Sequence, residues 1–230
     1  MNVKQNKNYF KKTDTLKYVG IFLMAICAII FFVWSWQAYY IWVIGIPVGL
    51  VLTFVGSAGR SSDGDIDECI ERACADIEVD LESDRHYAKR MLEHVPPFTV
   101  GEYEYDDGLM FKKAKNGKIR SSKYTRAMIY VLSDRLYISR RRIDLIADVT
   151  ERDVFEIKYD TLSGIDVKRE EKTVRFAKRS FFVKTCVLSM LDDNGEMLRV
   201  PMADDVQLLA RLETVKDVML EYKKARAESS

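Results

Sequence analysis

The chain has 230 residues, 36 of them basic and 35 acidic, for a formal net charge of +1. That length holds one ordinary domain plus something else. Four cysteines without a CxxC pair or a disulfide framework fit a reducing compartment and exclude a disulfide-stapled secreted scaffold.

Residues 1–17 carry Lys4, Lys7, Lys11, Lys12 and Lys17 against Asp14 alone. No charged residue then occurs between Lys17 and Arg60. Two apolar runs fill that gap, Tyr18 to Trp36 and Ile41 to Gly56. A helix needs roughly 20 mostly apolar residues to cross the hydrocarbon core, so both are read as spans, residues 18–58 forming a transmembrane hairpin. Gln37-Ala38-Tyr39-Tyr40 is its tight turn. Trp34, Trp36, Tyr39, Tyr40 and Trp42 would form an aromatic belt at that end. A cleaved signal peptide fits poorly, because the apolar stretch is roughly twice as long as a signal core and no cleavage site follows. The lysines before the first run place the N-terminus in the cytoplasm, and two spans return the chain there. The expected location is the inner membrane, multi-pass, with both termini cytoplasmic. No ionisable residue lies within the spans, which argues against a transporter acting alone. Gly45 and Gly49 flank Pro47, allowing close helix approach and a kink.

Residues 63–84 hold ten acidic side chains against Arg72. Ile66, Ile70, Ala73, Cys74, Ile77 and Leu81 recur at helical spacing, and Ala88, Met91, Leu92 and Val95 extend the pattern to Pro96-Pro97. The spacing predicts one amphipathic helix over residues 63–95, about 45 Å long if unbroken. His86 and His94 have no metal-ligand partners at suitable spacing, and no metal or cofactor is expected.

Strand and turn signals follow Pro97. The strands predicted are Phe98–Tyr105, Leu109–Ala114, Lys118–Arg120, Ala127–Ser133, Leu136–Arg140, Val154–Tyr159, Gly164–Lys168, Phe181–Leu191 and Met197–Pro201. Asn116-Gly117 and Asp193-Asn194-Gly195 supply hairpin turns. A helix over Asp204–Lys224 has Leu208, Leu209, Leu212, Val215, Met219 and Tyr222 as its apolar face. Such a pattern suggests an antiparallel sandwich or barrel closed by one helix.

The stretch from Gly108 to Ser139 resembles the opening strands of pleckstrin-homology domains. A Gly-x-x-x-Lys-type strand ends near Lys113, a basic hairpin follows, Arg126 stands near that family's arginine, and Val131 to Tyr137 matches the next turn. Tyr159 to Glu170 is similar to a strand of GRAM-like and bacterial pleckstrin-homology-like domains. The closing helix lacks that family's tryptophan, which points to the bacterial branch. The resemblance implies a domain over residues 98–226 that recognises rather than catalyses. It also implies that the basic hairpin faces the ligand.

Lys112 to Arg142 contains eleven basic residues and one acid, Asp134. The candidate binding residues are Lys112, Lys113, Lys115, Lys118, Arg120, Lys123, Arg126, Arg140, Arg141 and Arg142. Three readings stand open: binding of an anionic lipid head group, binding of an acidic protein surface (the chain's own segment 63–84 included), or a solvated hairpin. Because Arg140 and Arg142 share the parity of Leu136 and Ile138, the strand is expected to end or bulge near Arg140. No nucleic-acid-binding motif, phosphate loop, nucleophile elbow or metal set is present, so neither nucleic acid nor catalysis is expected.

The sequence thus reads as a membrane-anchored α+β protein with a non-enzymatic recognition or scaffold role, partnered by the membrane, an anionic lipid or an acidic protein. The alternative is a structural subunit of a homo- or hetero-oligomeric membrane complex.

Overall fold

The computed structural model describes residues 3–11, 15–34, 39–59, 61–79, 81, 87, 89–92, 95–176 and 179–228. The chain divides into two compact units, residues 2–62 and 63–230.

The first unit is helical, with α1 (Val3–Lys11), α2 (Thr15–Trp34) and α3 (Tyr39–Ser57). Helix α1 gives structure to a tail that reads only as basic. Tyr9 and Phe10 are buried on it, and the Ser61 hydroxyl donates to Asn6 Oδ1 at 2.6 Å. Helices α2 and α3 pack through small residues. A Cβ on Gly49 would lie 2.6 Å from Met24 Cγ and 2.8 Å from the Gly20 carbonyl oxygen. Helix α3 runs on through Pro47. Among the described residues only α2, over Thr15–Phe32, is long and apolar enough to cross a membrane. The apolar part of α3, Tyr40–Gly56, is shorter, so the expected pair of spans is reduced to one by length and composition. Trp36, Gln37 and Ala38 lie outside the described residues, while Tyr39 and Tyr40, expected in the turn, already belong to α3.

The second unit is α+β. It begins with α4 (Asp63–Ala73) and ends with α5 (Val206–Glu228). Between them run β1 (Phe98–Tyr103), β2 (Phe111–Lys113), β3 (Ile119–Ser121), β4 (Lys123–Val131), β5 (Arg135–Asp144), β6 (Val149–Lys158), β7 (Gly164–Phe176), β8 (Arg179–Asp192) and β9 (Gly195–Met202). The strands form one sheet in the order β1-β4-β5-β6, the hairpin β2-β3, and a second sheet β7-β8-β9. All pairings are antiparallel. No closed barrel forms. Instead the two sheets share a core in which Ile129, Leu136, Leu188 and Val200 meet Leu212, Val215 and Met219 of α5. The Asp205 carboxylate caps α5 by accepting from the Gln207 amide at 2.7 Å.

The expected helix over residues 63–95 stops at Ala73, and a turn follows at 74–76. The reason is the other face of β4 and β5. Met128, Tyr130 and Tyr137 point away from the main core, and Ile77, Leu81 and Met91 bury them. The Val79 amide donates to the Tyr130 hydroxyl at 2.7 Å, and Met91 bridges to Leu132. A straight helix would hold its apolar residues on one stripe, whereas Ile77, Leu81 and Met91 meet different side chains of the sheet. His86 and His94 lie outside the described residues.

Strand β5 neither ends nor bulges at Arg140. Its register with β4 and β6 is continuous through Asp144. Arg140 keeps the parity of Leu136 but lies past the core, where Asp153 accepts from it at 2.7 Å.

Candidate functional site

The basic residues of β3, β4 and β5 meet the acidic residues of α4 and of the turn after it. Asp63, Asp67 and Glu71 recur every four residues and so share one face of α4. Arg120, on β3, donates to Asp67 Oδ1 and Oδ2 at 2.7 and 2.9 Å, and to the Asp63 carbonyl at 2.9 Å. Arg126, on β4, donates to both oxygens of Glu71 at 2.9 and 2.6 Å. The Lys115 amide donates to Asp63 Oδ2 at 2.9 Å.

A row of like charges explains why these acids are needed. Arg126 stands directly opposite Arg141, and Arg141 directly opposite Arg152, across three neighbouring strands. Like charges in such positions repel unless anions intervene. Glu71 supplies one anion, and Asp76 supplies another, 3.6 Å from Arg141 Nε and 2.6 Å from Arg152 Nη1. Arg141 also donates to the Asp76 carbonyl at 2.9 Å. Opposite Arg126 on β1 stands Gly101, where a Cβ would lie 2.7 Å from the Thr125 carbonyl oxygen. The strands therefore approach too closely there for any side chain.

The remaining predicted residues are dispersed. Lys118 pairs with Glu102 at 2.8 Å. Arg142 pairs with Glu151 at 2.8 Å and Asp153 at 3.4 Å. Lys112 sits on β2. Lys113 places its Nζ 5.7 Å from the Phe181 ring centroid. Lys113, Lys115 and Lys123 have no ion pair among the described residues. The structure thus splits the ten candidates into an internally neutralised set (Arg120, Arg126, Arg141), a set paired to strand acids, and lysines at the hairpin and the β4 start.

A cleft of about 280 Å³ opens between the two sheets, lined in part by Tyr103, Glu104, Arg140, Arg142, Lys172 and Arg199. A second, of about 270 Å³, shares Glu104 and Arg142 with it and adds Lys123. The Tyr103 hydroxyl is buried with no hydrogen-bond partner among the described residues, and burial raises its pKa. Lys172, Arg199 and Arg152 were absent from the sequence-derived set. Cross-strand parity signals Arg152 once the register is known. Lys172 belongs to the basic block over residues 168–184, which charge alone makes visible, whereas Arg199 has no local signal.

Comparison with protein-family models, with curated proteins and with solved structures finds no match. No cluster of His, Cys, Asp and Glu able to hold a metal ion occurs among the described residues.

The ionic seal on α4 is sensitive to acid. The Arg126 hydrogen bond holds the Glu71 carboxyl below its ordinary value of 4.5. The hydrogen bond from Arg135 does the same for Asp134 relative to 3.8. Burial pushes Asp153 upward, but Arg140 and Arg142 outweigh it and the net shift is down. Groups with depressed folded values bind fewer protons folded than unfolded. Their contribution is complete above the unfolded values and is lost as pH falls through the folded ones. Thermal midpoints should therefore be level from about pH 7 to 5 and fall below about pH 4.5, and Glu71→Gln should flatten part of that fall. A midpoint that stays level down to about pH 3 would contradict these assignments.

Proposed function

We propose that the protein is a non-enzymatic, membrane-anchored recognition or scaffold protein whose β domain engages anionic groups of a partner. The observation that carries the anchor is the lateral surface of α2 and α3. Phe22 is 67% exposed and Phe32 84%, and Ile29, Leu50, Val51 and Phe54 are exposed beside them. Water would not tolerate so contiguous an apolar surface, and lipid would. Helix α3 then crosses as the second span of the hairpin, and both termini lie in the cytoplasm of a bacterial inner membrane.

Two antiparallel sheets and a terminal helix that enters their core support the pleckstrin-homology-like reading of the domain. The cations at the mouth between the sheets (Arg140, Arg142, Lys172 and Arg199) support recognition of anionic groups there, joined by Lys123 in the adjoining cleft. Such recognition exchanges the existing partners Asp153, Glu151, Asp106 and Glu170 for the ligand's own charges.

The topology is tested with single surface cysteines at Asn8 and Asp193, since the four native cysteines are buried. A membrane-impermeant maleimide applied from outside the cell should label neither site, and both should react after permeabilisation. Labelling of one site but not the other would mean that α3 does not cross. Recognition is tested by titrating the reconstituted protein with a poly-glutamate peptide. Binding should weaken when Arg199→Glu and Lys123→Glu are combined, and an unchanged affinity would exclude the cleft.

A further inference from the structure

Strands β7 and β8 form a hairpin far longer than their sheet requires. Strand β9 pairs with β8 only from Cys186 onward. Beyond that point seven rungs of β7 and β8 continue alone, from Glu170–Thr185 to Phe176–Arg179. At roughly 3.4 Å per residue this two-stranded ribbon projects about 20 Å past the three-stranded sheet. A bare ribbon is marginal in water, and this one is braced on one face. Val174 is buried there, Phe181 and Val183 are half-buried, Lys113 lies over the Phe181 ring, and Lys172 pairs with Asp106 at 2.8 Å.

The opposite face is bare. Thr173 pairs with Phe182 and Arg175 with Ser180, so these four side chains share that face with Lys184 and with Glu171, an exposed acid 3.6 Å from Lys184 Nζ that a lipid phosphate would replace. All are exposed, and Phe182 is 82% exposed. Arg175 has no ion-pair partner among the described residues. From Lys172 to Lys184 the sequence has five basic residues and no acid. The Lys113 contact brings the basic β2–β3 hairpin against the braced face of the ribbon.

We propose that this ribbon is a membrane-contacting arm, in which Phe182 inserts at the head-group boundary of an anionic leaflet while Arg175 and Lys184 pair with lipid phosphates. An aromatic ring flanked by cations matches that interface chemically. The ring gains from leaving water, and each nearby cation gains from the negative surface potential. An acidic protein would suit the cations but offers nothing to an isolated exposed ring. The inference goes beyond the anion-recognition reading, since Phe182, Arg175 and Lys184 do not line the cleft.

The test uses the full chain with Ser180→Cys carrying a bimane fluorophore, reconstituted in vesicles containing brominated phospholipid. Ser180 shares the face of Phe182 and leaves that residue in place. Flotation with neutral vesicles reports the helical anchor separately. If the chain fails to incorporate, the same label is read by mixing it with brominated anionic vesicles. The bimane should be quenched in vesicles with about one-third phosphatidylglycerol, and far less in neutral vesicles or in high salt. A label at Asp193→Cys, at the opposite end of β8, should stay unquenched. Phe182→Ser should lower the docked-to-free ratio of the arm, read from bimane quenching in anionic vesicles, about tenfold, and Phe182→Trp should retain it. Arg175→Glu with Lys184→Glu should abolish the lipid dependence, with unchanged circular dichroism. The arm is refuted by equal quenching in neutral and anionic vesicles. It is equally refuted by no quenching at Ser180, whether the face is open or is covered by a second copy in crosslinking.

Discussion

Asp67→Ala should destabilise the β domain by about 3 kcal/mol, the scale for removing one partner of a buried ion pair. In a domain of this size that is a fall of roughly 6–12 °C in thermal midpoint. The two partners are unequally placed. The Arg120 side chain is 6% exposed and that of Asp67 58%. Losing Asp67 removes two charge-assisted hydrogen bonds from a desolvated guanidinium. Losing Arg120 leaves a carboxylate that water can reach. Arg120→Met should therefore cost less than Asp67→Ala, and Arg120→Met combined with Asp67→Leu should recover most of the loss. Glu68→Ala, half of an exposed pair with Arg72 within α4, should stay within about 0.5 kcal/mol. Denaturant midpoints of the four variants give the order directly, and equal costs at Glu68 and Asp67 would remove the seal from the account.

Gly49→Leu should separate α2 from α3. The added side chain would begin 2.6 Å from Met24 Cγ and 2.8 Å from a backbone oxygen of Gly20. Met24 can turn aside, but the backbone of Gly20 can move only with its helix. Its own Cβ would meet Thr53 and Gly49 just as closely, so neither helix has slack at this level. Between apolar helices in lipid, close backbone approach is itself the main attraction. The expected loss is about 2–3 kcal/mol, the upper range for overpacking. Spin labels placed on α2 and α3 should report a wider, broader distance distribution. Val51→Leu, on the exposed side of α3, should leave it unchanged. An unaltered distance for Gly49→Leu would mean that the helices are held together elsewhere.

Much of the β domain was legible in sequence because each strand carries its own signal. All nine strands and the closing helix were expected in order, but β7 runs to Phe176, eight residues past its expected end, and β6 begins at Val149, five residues before its expected start. Asn116-Gly117 was expected to turn, and Gly117 has a φ of 86° there. The misses share one cause. Ile77, Leu81 and Met91 have helical apolar spacing, yet their partners are side chains of β4 and β5 far along the chain. Local periodicity carries no information about them. Arg141 and Arg152 were ambiguous for a similar reason, since a charged residue in a strand is neither core nor surface until its cross-strand neighbours are known. The seal between Arg120 and Asp67 was one of several open pairings between an acidic and a basic block. Charge alone identified the blocks, and register selected the residues. The ribbon of β7 and β8 was not expected, because β7 was read as ending at Lys168 and the length of the hairpin shows only once β9 is seen to stop short.

Burial of β4 and β5 on both faces also bears on the order in which the domain assembles. One face needs α5 and the second sheet, and the other needs the chain after α4, whose contacts Met91–Leu132 and Val79–Tyr130 close long loops. Closing such loops early is entropically costly, and that chain has nothing to grip before Met128, Tyr130 and Tyr137 are aligned. The contacts of Val79 and Met91 should therefore form late, on a sheet already aligned. Helix α4, held to the sheet through side-chain ion pairs, should exchange its amide hydrogens sooner than β4 and β5.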